Sequence, residues 1–169
     1  MDNNFSIIIS TCDKFSDLWD AHVQLLNQNW ADRNVETFLL TDKPTDRKFK
    51  NITVVAAGKG TEITERLQAV IPMIKTEYVL FTLDDYFLTE KISTEAIKED
   101  ISIMEKHRID YLRLFVMTKK SLKNRKAKEV EPGIFVLDNN AGDYIVSLYA
   151  GIWQKDFMAK TLGTKMNAW

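Results

Sequence analysis

The chain has 169 residues, 45% hydrophobic and 28% charged. Those are the proportions of one soluble folded domain, and they exclude a disordered tail, a collagen-like repeat and a coiled-coil rod. Charge nearly cancels, 23 Lys and Arg against 24 Asp and Glu, so no global positive field exists to hold a nucleic-acid backbone.

Phe5-Ser6-Ile7-Ile8-Ile9-Ser10 is a β-branched run that predicts a buried strand. The polar stretch Thr11-Cys12-Asp13-Lys14 follows. Ser16 is placed to cap a helix, with Asp17 in its first turn and Leu18, His22, Leu25 and Leu26 at helical spacing, as are Trp19, Val23 and Trp30. A second strand is expected at Thr37 to Leu40, closed by Thr41-Asp42-Lys43-Pro44, and a third at Ile52 to Val55. After Gly58-Lys59-Gly60 comes a helix with Ile63, Leu67, Val70, Ile71 and Ile74 on one face, which Pro72 should kink or end early. Tyr78 to Leu83 is the strongest strand pattern and stops at Asp84-Asp85-Tyr86. A helix capped at Ser93 or Thr94 carries the stripe Ile97, Ile101 and Met104, and Asp110 to Val116 predicts a fifth strand.

Strands alternating with helices indicate an α/β fold built on a mostly parallel sheet flanked by helices, with loop chemistry at the carboxyl ends of the strands. Residues 119 to 128 then hold Lys119, Lys120, Lys123, Arg125, Lys126 and Lys128 with no acid among them. The plain expectation is a solvated, mobile loop; the sharper one is contact with an anionic acceptor or a membrane surface. Further strands are expected at Val130 to Leu137 and Tyr144 to Trp153, with Asn139 to Asp143 turning between them. No repeat or linker interrupts residues 1 to 169, so one domain is expected.

The single cysteine, Cys12, excludes an intrachain disulfide framework and a multi-cysteine zinc site. It follows an apolar run, so it is expected as a small buried hydrophobe. No stretch of about 18 uninterrupted apolar residues is present, so no transmembrane helix is expected. Met1 to Asn4 lack the basic start of a signal peptide, which points to the cytoplasm, with association at the inner face of the membrane left open.

Chemistry concentrates at the strand ends. Asp84 and Asp85 end a hydrophobic strand, and carboxylates are hard oxygen ligands suited to Mg²⁺ or Mn²⁺, which in turn neutralise a diphosphate. If the strand stays extended the two acids point to opposite sides; a turn at Asp84 would let them converge. Taken alone, such a pair reads as two solvated loop acids. Thr11 and Asp13 follow the first strand, Asp42 the second, and Gly58 and Gly60 the third, so small or polar groups gather on one side of the sheet. Arg66 follows within the next helix, either as a surface arginine or reaching an anion near the sheet. The glycines match neither a dinucleotide fingerprint nor a P-loop.

Ser10-Thr11-Cys12-Asp13, Thr41-Asp42, Glu65-Arg66-Leu67 and Leu83-Asp84-Asp85-Tyr86-Phe87-Leu88, with Ser147 to Phe157 later, resemble GT-A-type glycosyltransferases of bacterial surface-polysaccharide assembly. The resemblance implies a GT-A-like, Rossmann-like fold, a nucleoside diphosphate sugar donor, a glycan or lipid-linked acceptor, and help from a divalent metal, Mn²⁺ or Mg²⁺. Carried over by position, Thr11, Asp13 and Asp42 would touch base and ribose. Arg66 would lie near the phosphates, Asp84 would contact ribose or sugar, and Asp85 would bind the metal.

Two departures stand out. Tyr86 occupies the third position of a strict D-x-D. The sequence also stops at Asn167-Ala168-Trp169, where similar proteins lead into an acidic general base, which suggests a domain incomplete on its acceptor side. Asp143 and Asp156 are the remaining acidic candidates for that role. Competing functions are a nucleotidyltransferase of related fold, disfavoured because the loop after the first strand has no glycine, and a non-catalytic nucleotide-sugar-binding or scaffolding module. A receiver-like signalling domain is disfavoured because its acid pair should follow the first strand and not the fourth.

Overall fold

The opening apolar run forms β1 (Phe5–Ser10), all six residues of it buried. A strand covered on both faces reads as an unbroken hydrophobic run, which marks the middle of a parallel sheet. The computed structural model describes residues 4–137 and 145–162. In it β1 pairs in parallel with β2 (Thr37–Thr41) on one side and β4 (Tyr78–Leu83) on the other, and β3 (Thr53–Ala56) pairs in parallel beyond β2. On the far side β8 (Gly151–Gln154) runs antiparallel between β4 and β5 (Tyr111–Arg113). The sheet order is therefore β3-β2-β1-β4-β8-β5. A separate hairpin joins β6 (Lys128–Glu131) to β7 (Ile134–Val136), its turn carrying Gly133 at φ 79°.

Side chains alternate along each strand, so the sheet has two cores. Phe5, Ile7, Ile9, Tyr78, Leu80 and Ile152 face one side, where they meet Leu26 and Trp30 from α1 (Trp19–Asn29) and its end, and Ile97, Ile101 and Met104 from α3 (Thr94–His107). Ile8, Phe38, Leu40, Val79, Phe81 and Trp153 face the other side. There they meet Leu67 and Val70 from α2 (Ile63–Val70) and Met158 from α5 (Lys155–Leu162). The helices start and stop on local signals. Ser93 Oγ accepts the Ala96 N–H at 3.2 Å at the start of α3, and Pro72 ends α2 at Val70 by converting the next residues to a 3₁₀ turn. No helix among the described residues is long and apolar enough to cross a membrane.

Several expectations are corrected. Ser16 does not cap the first helix: a 3₁₀ turn at Asp13–Phe15 comes first, and α1 begins at Trp19. Cys12 is half-buried, not buried. The fifth strand covers three residues instead of seven, because its pairing with β8 ends at the bond from Leu114 N–H to Ala150 O, 3.0 Å. The basic run is not a loop throughout. Its first part is the short α4 (Lys119–Asn124), opened by Thr118 Oγ1 accepting the Ser121 N–H at 3.2 Å. Val130 to Leu137 is divided by the hairpin turn, the expected turn at Asn139 to Asp143 lies outside the described residues, and of residues 145 to 153 only Gly151 onward joins the sheet.

Candidate functional site

Register brings the predicted residues to one end of the sheet. Ser10 pairs with both Leu40 and Leu83, and Thr41 pairs with Ala56, so the carboxyl ends of β1 to β4 are level. Thr11, Asp42, Ala57 and Asp84 each follow directly from a strand end, which is where ligands bind in open α/β sheets.

Asp84 turns inward and is 7% exposed, whereas Asp85 is exposed. The chain bends here: Asp84 N–H donates to Ser10 O at 3.3 Å and Tyr86 N–H to Leu83 O at 3.2 Å. The extended geometry therefore does not persist, yet the turn does not bring the two carboxylates together: Asp84 is buried and Asp85 faces water. A buried carboxylate needs donors, and Thr11 supplies one. The Thr11 hydroxyl donates to Asp84 Oδ2 and itself accepts from Trp19 Nε1 at 2.7 Å. His22, buried on α1, donates from Nδ1 to the Asp84 carbonyl at 3.0 Å. Burial pushes the Asp84 carboxyl above its ordinary range, and the charge of Asp85 adds to this, while the Thr11 bond pulls the other way. Burial likewise lowers the pKa of His22.

Asp42 and Asp13 form a second group beside the first. Asp13 N–H donates to Asp42 Oδ1 at 2.6 Å, and the Thr41 hydroxyl donates to the same oxygen at 3.3 Å. Partial burial raises the Asp42 pKa, but these bonds and the neighbouring Lys43 outweigh it and hold the group below its usual range. Lys43 Nζ donates to Asp13 Oδ2 at 2.5 Å. Arg47 closes the entrance to α1, donating to Ser16 O at 2.7 Å with its guanidinium 5.6 Å from the Trp19 ring centroid.

The glycine loop is tied to this group, since Gly58 N–H donates to Asp42 O at 3.0 Å. Gly58, at φ 125°, and Gly60, at φ 78°, adopt backbone that other residues rarely take. Arg66 holds the loop from α2, donating from Nη1 to Thr61 O at 2.7 Å. Its Nε is buried with no hydrogen-bond partner among the described residues, and so is Ser10 Oγ.

Thr11, Asp13, Asp42, Asp84 and Asp85 thus come together, with Arg66 behind the loop that borders Asp42. Asp156 does not join them. Gln154 pairs with Tyr78 and Lys155 N–H donates to Glu77 O at 2.8 Å, which puts Asp156 by the amino end of β4. The six residues of β4 separate the two ends by roughly 20 Å, so Asp156 is remote from Asp84 and Asp85. Asp143 lies outside the described residues. Trp19 was legible only as a core residue of a helical stripe; its buried indole N–H, which needs a partner, was the available signal for its bond to Thr11. Lys43 gave no signal beyond its place after Asp42.

A divalent metal has limited protein ligands here. No cluster of three or more His, Cys, Asp or Glu side chains surrounds a metal position among the described residues. Asp85 alone presents an exposed carboxylate at the end of β4. That fits an ion of the Mg²⁺ kind, which is often held by one or two carboxylates together with water and substrate phosphates.

No protein-family model matches the sequence, and no curated protein matches it significantly. Solved structures do match. S. aureus TarS 1-349 aligns at TM-score 0.56 and 16% identity over 94% of this chain and 49% of that one. The same protein in complex with UDP-GlcNAc aligns at TM-score 0.56 and 18% identity, over 94% and 47%. The 4-diphosphocytidyl-2C-methyl-D-erythritol synthase of Anaerococcus prevotii aligns at TM-score 0.55 and 12% identity, over 98% and 78%. The chain spans about half the length of the TarS structure it matches. These likenesses, together with the sheet order, establish a mixed, mostly parallel α/β fold of the Rossmann-like kind shared by TarS and that synthase.

Proposed function

We propose that this chain binds a nucleoside diphosphate sugar and serves its transfer to a glycan or lipid-linked acceptor in bacterial surface-polysaccharide synthesis. The observation that carries the reading is the split of the acid pair. Asp84 is locked inward by Thr11 and His22, leaving Asp85 as the exposed carboxylate at the end of β4, on the same end of the sheet as the Asp13–Asp42 group. Asp42, kept ionised, is suited to accept hydrogen bonds from a base or ribose. Asp85 is suited to a Mn²⁺ or Mg²⁺ ion that would offset the charge of the diphosphate. Arg66, with an unused Nε–H, would add positive charge behind the glycine loop. In the transfer the acceptor hydroxyl oxygen bonds to the anomeric carbon, the carbon–phosphate oxygen bond breaks, and the nucleoside diphosphate leaves. The hydroxyl proton needs a base, and Asp156 is too remote to take it. TarS has been solved with UDP-GlcNAc, which supports a nucleotide-sugar donor.

A nucleotidyltransferase is the second reading, favoured by the likeness to the A. prevotii synthase. The loop after β1 opposes it, since residues 11 to 15 contain no glycine to bring backbone N–H groups against a triphosphate. Titration calorimetry with UDP-GlcNAc, CTP and UDP, each with and without Mn²⁺, tests the choice. Metal-enhanced binding of UDP and UDP-GlcNAc is expected. Preference for CTP, or no nucleotide binding at all, would overturn the reading.

A further inference from the structure

The exposed end of the sheet continues past Asp85 into a group of rings that the donor reading does not use. Tyr86 follows Asp85, Phe115 lies two residues beyond β5, and Tyr149 lies two residues before β8. Gly151 pairs with both Phe81 and Arg113, so the antiparallel entry of β8 and the exits of β4 and β5 meet at the same end of the sheet. The three rings touch one another, with centroids 5.2 Å apart for Tyr86–Phe115, 6.0 Å for Tyr86–Tyr149 and 5.3 Å for Phe115–Tyr149. The guanidinium of Arg113 lies 4.1 Å from the Tyr149 centroid, and its Nε has no hydrogen-bond partner among the described residues. Phe115 is 42% and Tyr149 40% exposed.

Rings closed into a core would be buried; Phe115 and Tyr149 each remain exposed although Arg113 and Tyr86 lie against the Tyr149 ring, and exposed apolar patches mark ligand sites. The group is not purely apolar, because two phenol hydroxyls and a guanidinium border it. A pyranose has the complementary surface, C–H groups on one face and hydroxyls around the rim. The side of the sheet matters as well. Asp13 and Asp42 lie at the ends of β1 and β2, and the rings lie on the opposite side of Asp85, toward β8 and β5. A transferred sugar held at Asp85 would have its nucleotide on one side and this platform on the other.

We propose that Tyr86, Phe115 and Tyr149, with Arg113, form a carbohydrate-stacking platform that receives a sugar ring of the acceptor. The acceptor role rests on the donor reading above; the sugar binding does not.

Saturation-transfer NMR on the full chain tests it, with cellobiose, lactose and maltose as probes. At least one disaccharide is expected to show saturation transfer at its C–H protons, reduced at least fivefold in the Phe115→Ala/Tyr149→Ala variant. The same samples are titrated with UDP, which the platform variant should bind as wild type does. That control also shows that the variant is folded. UDP binding without transfer to any probe, or with equal transfer in the platform variant, overturns the platform alone. Sugar binding without UDP binding overturns the donor reading and leaves the platform standing. If the variant binds neither, Tyr149→Phe, which keeps the ring, must restore the sugar signal or the platform is rejected. Loss of binding to phosphatidylglycerol vesicles in the platform variant, with no sugar signal in wild type, would reassign the patch to a membrane.

Discussion

Asp84 and Asp85 are chemically identical neighbours with opposite fates, and the difference comes from one bend and one hydroxyl. Thr11→Val keeps the shape of the side chain but leaves Asp84 Oδ2 without that donor and the buried Trp19 Nε1–H without its acceptor. Loss of a hydrogen bond to a buried carboxylate should destabilise the fold by about 1–3 kcal/mol, read by urea denaturation at neutral pH. The pKa of Asp84 is raised in the folded chain, so its contribution to stability is fully present below the unfolded carboxyl value and is lost as pH rises through the folded value. Asp84→Asn should therefore raise the melting temperature at pH 7 relative to wild type, with the gain vanishing in acid. A melting series from pH 3 to pH 8 checks this; a constant difference across the range would remove the ionised buried group as the cause. Asp42 has the opposite sign, since its lowered pKa gives stability that is present above the unfolded value and lost as pH falls. For Asp85→Ala the expected outcome is a folded chain whose UDP affinity no longer responds to Mn²⁺. Calorimetry giving the same Mn²⁺ response as wild type would rule out Asp85 as the metal ligand.

Among the elements, β8 is the one the sequence pattern misjudged most. Alternation identified an apolar segment but not where it enters the sheet, and consecutive order would have placed β5 beside β4. Instead β8 returns from later in the chain and separates them. Room for it depends on Gly151. A Cβ at that position would come within 2.7 Å of Tyr111 Cε2 and 2.9 Å of the Leu112 carbonyl oxygen. Tyr111 is itself packed on Trp153, with centroids 4.4 Å apart, so neither ring nor backbone has space to withdraw. Gly151→Ala should cost about 1–3 kcal/mol through overpacking and loosen β5 first. Hydrogen exchange at Leu112 and Arg113 accelerating more than at β1 amides would show it; uniform protection would place the strain elsewhere.

At the scale of the whole molecule, two sets of side chains lie apart along the carboxyl end of the sheet: acids at β1, β2 and β4 on one side, aromatic rings at β4, β8 and β5 on the other. Because a ligand that binds only the folded state stabilises it, saturating UDP with Mn²⁺ should raise the melting temperature. At a hundredfold excess over Kd the gain is about 2.7 kcal/mol. The same nucleotide should leave Asp42→Ala with little or no shift, while the ring variant responds fully. A shift of equal size in Asp42→Ala would move the nucleotide away from β2.

What the residues alone determined follows from local physics. The buried strands β1, β2 and β4, a helix kinked or stopped at Pro72, a helix start at Ser93 or Thr94 and the acids at the strand ends are all written in periodicity, capping and turn chemistry, which act over a few residues. The parallel α/β class followed from their alternation. Tertiary structure alone decided which residues meet across the chain. Thr11 reaching Asp84 and Asp13 reaching Asp42 are contacts between strands far apart in sequence, and no local period encodes them. The displacement of Asp156 to the far end of the sheet was likewise invisible, because it depends on β8 running antiparallel. The direction of a strand is set by the path of the chain around it and by the packing of Trp153 and Met158 against α2, not by the strand's own pattern.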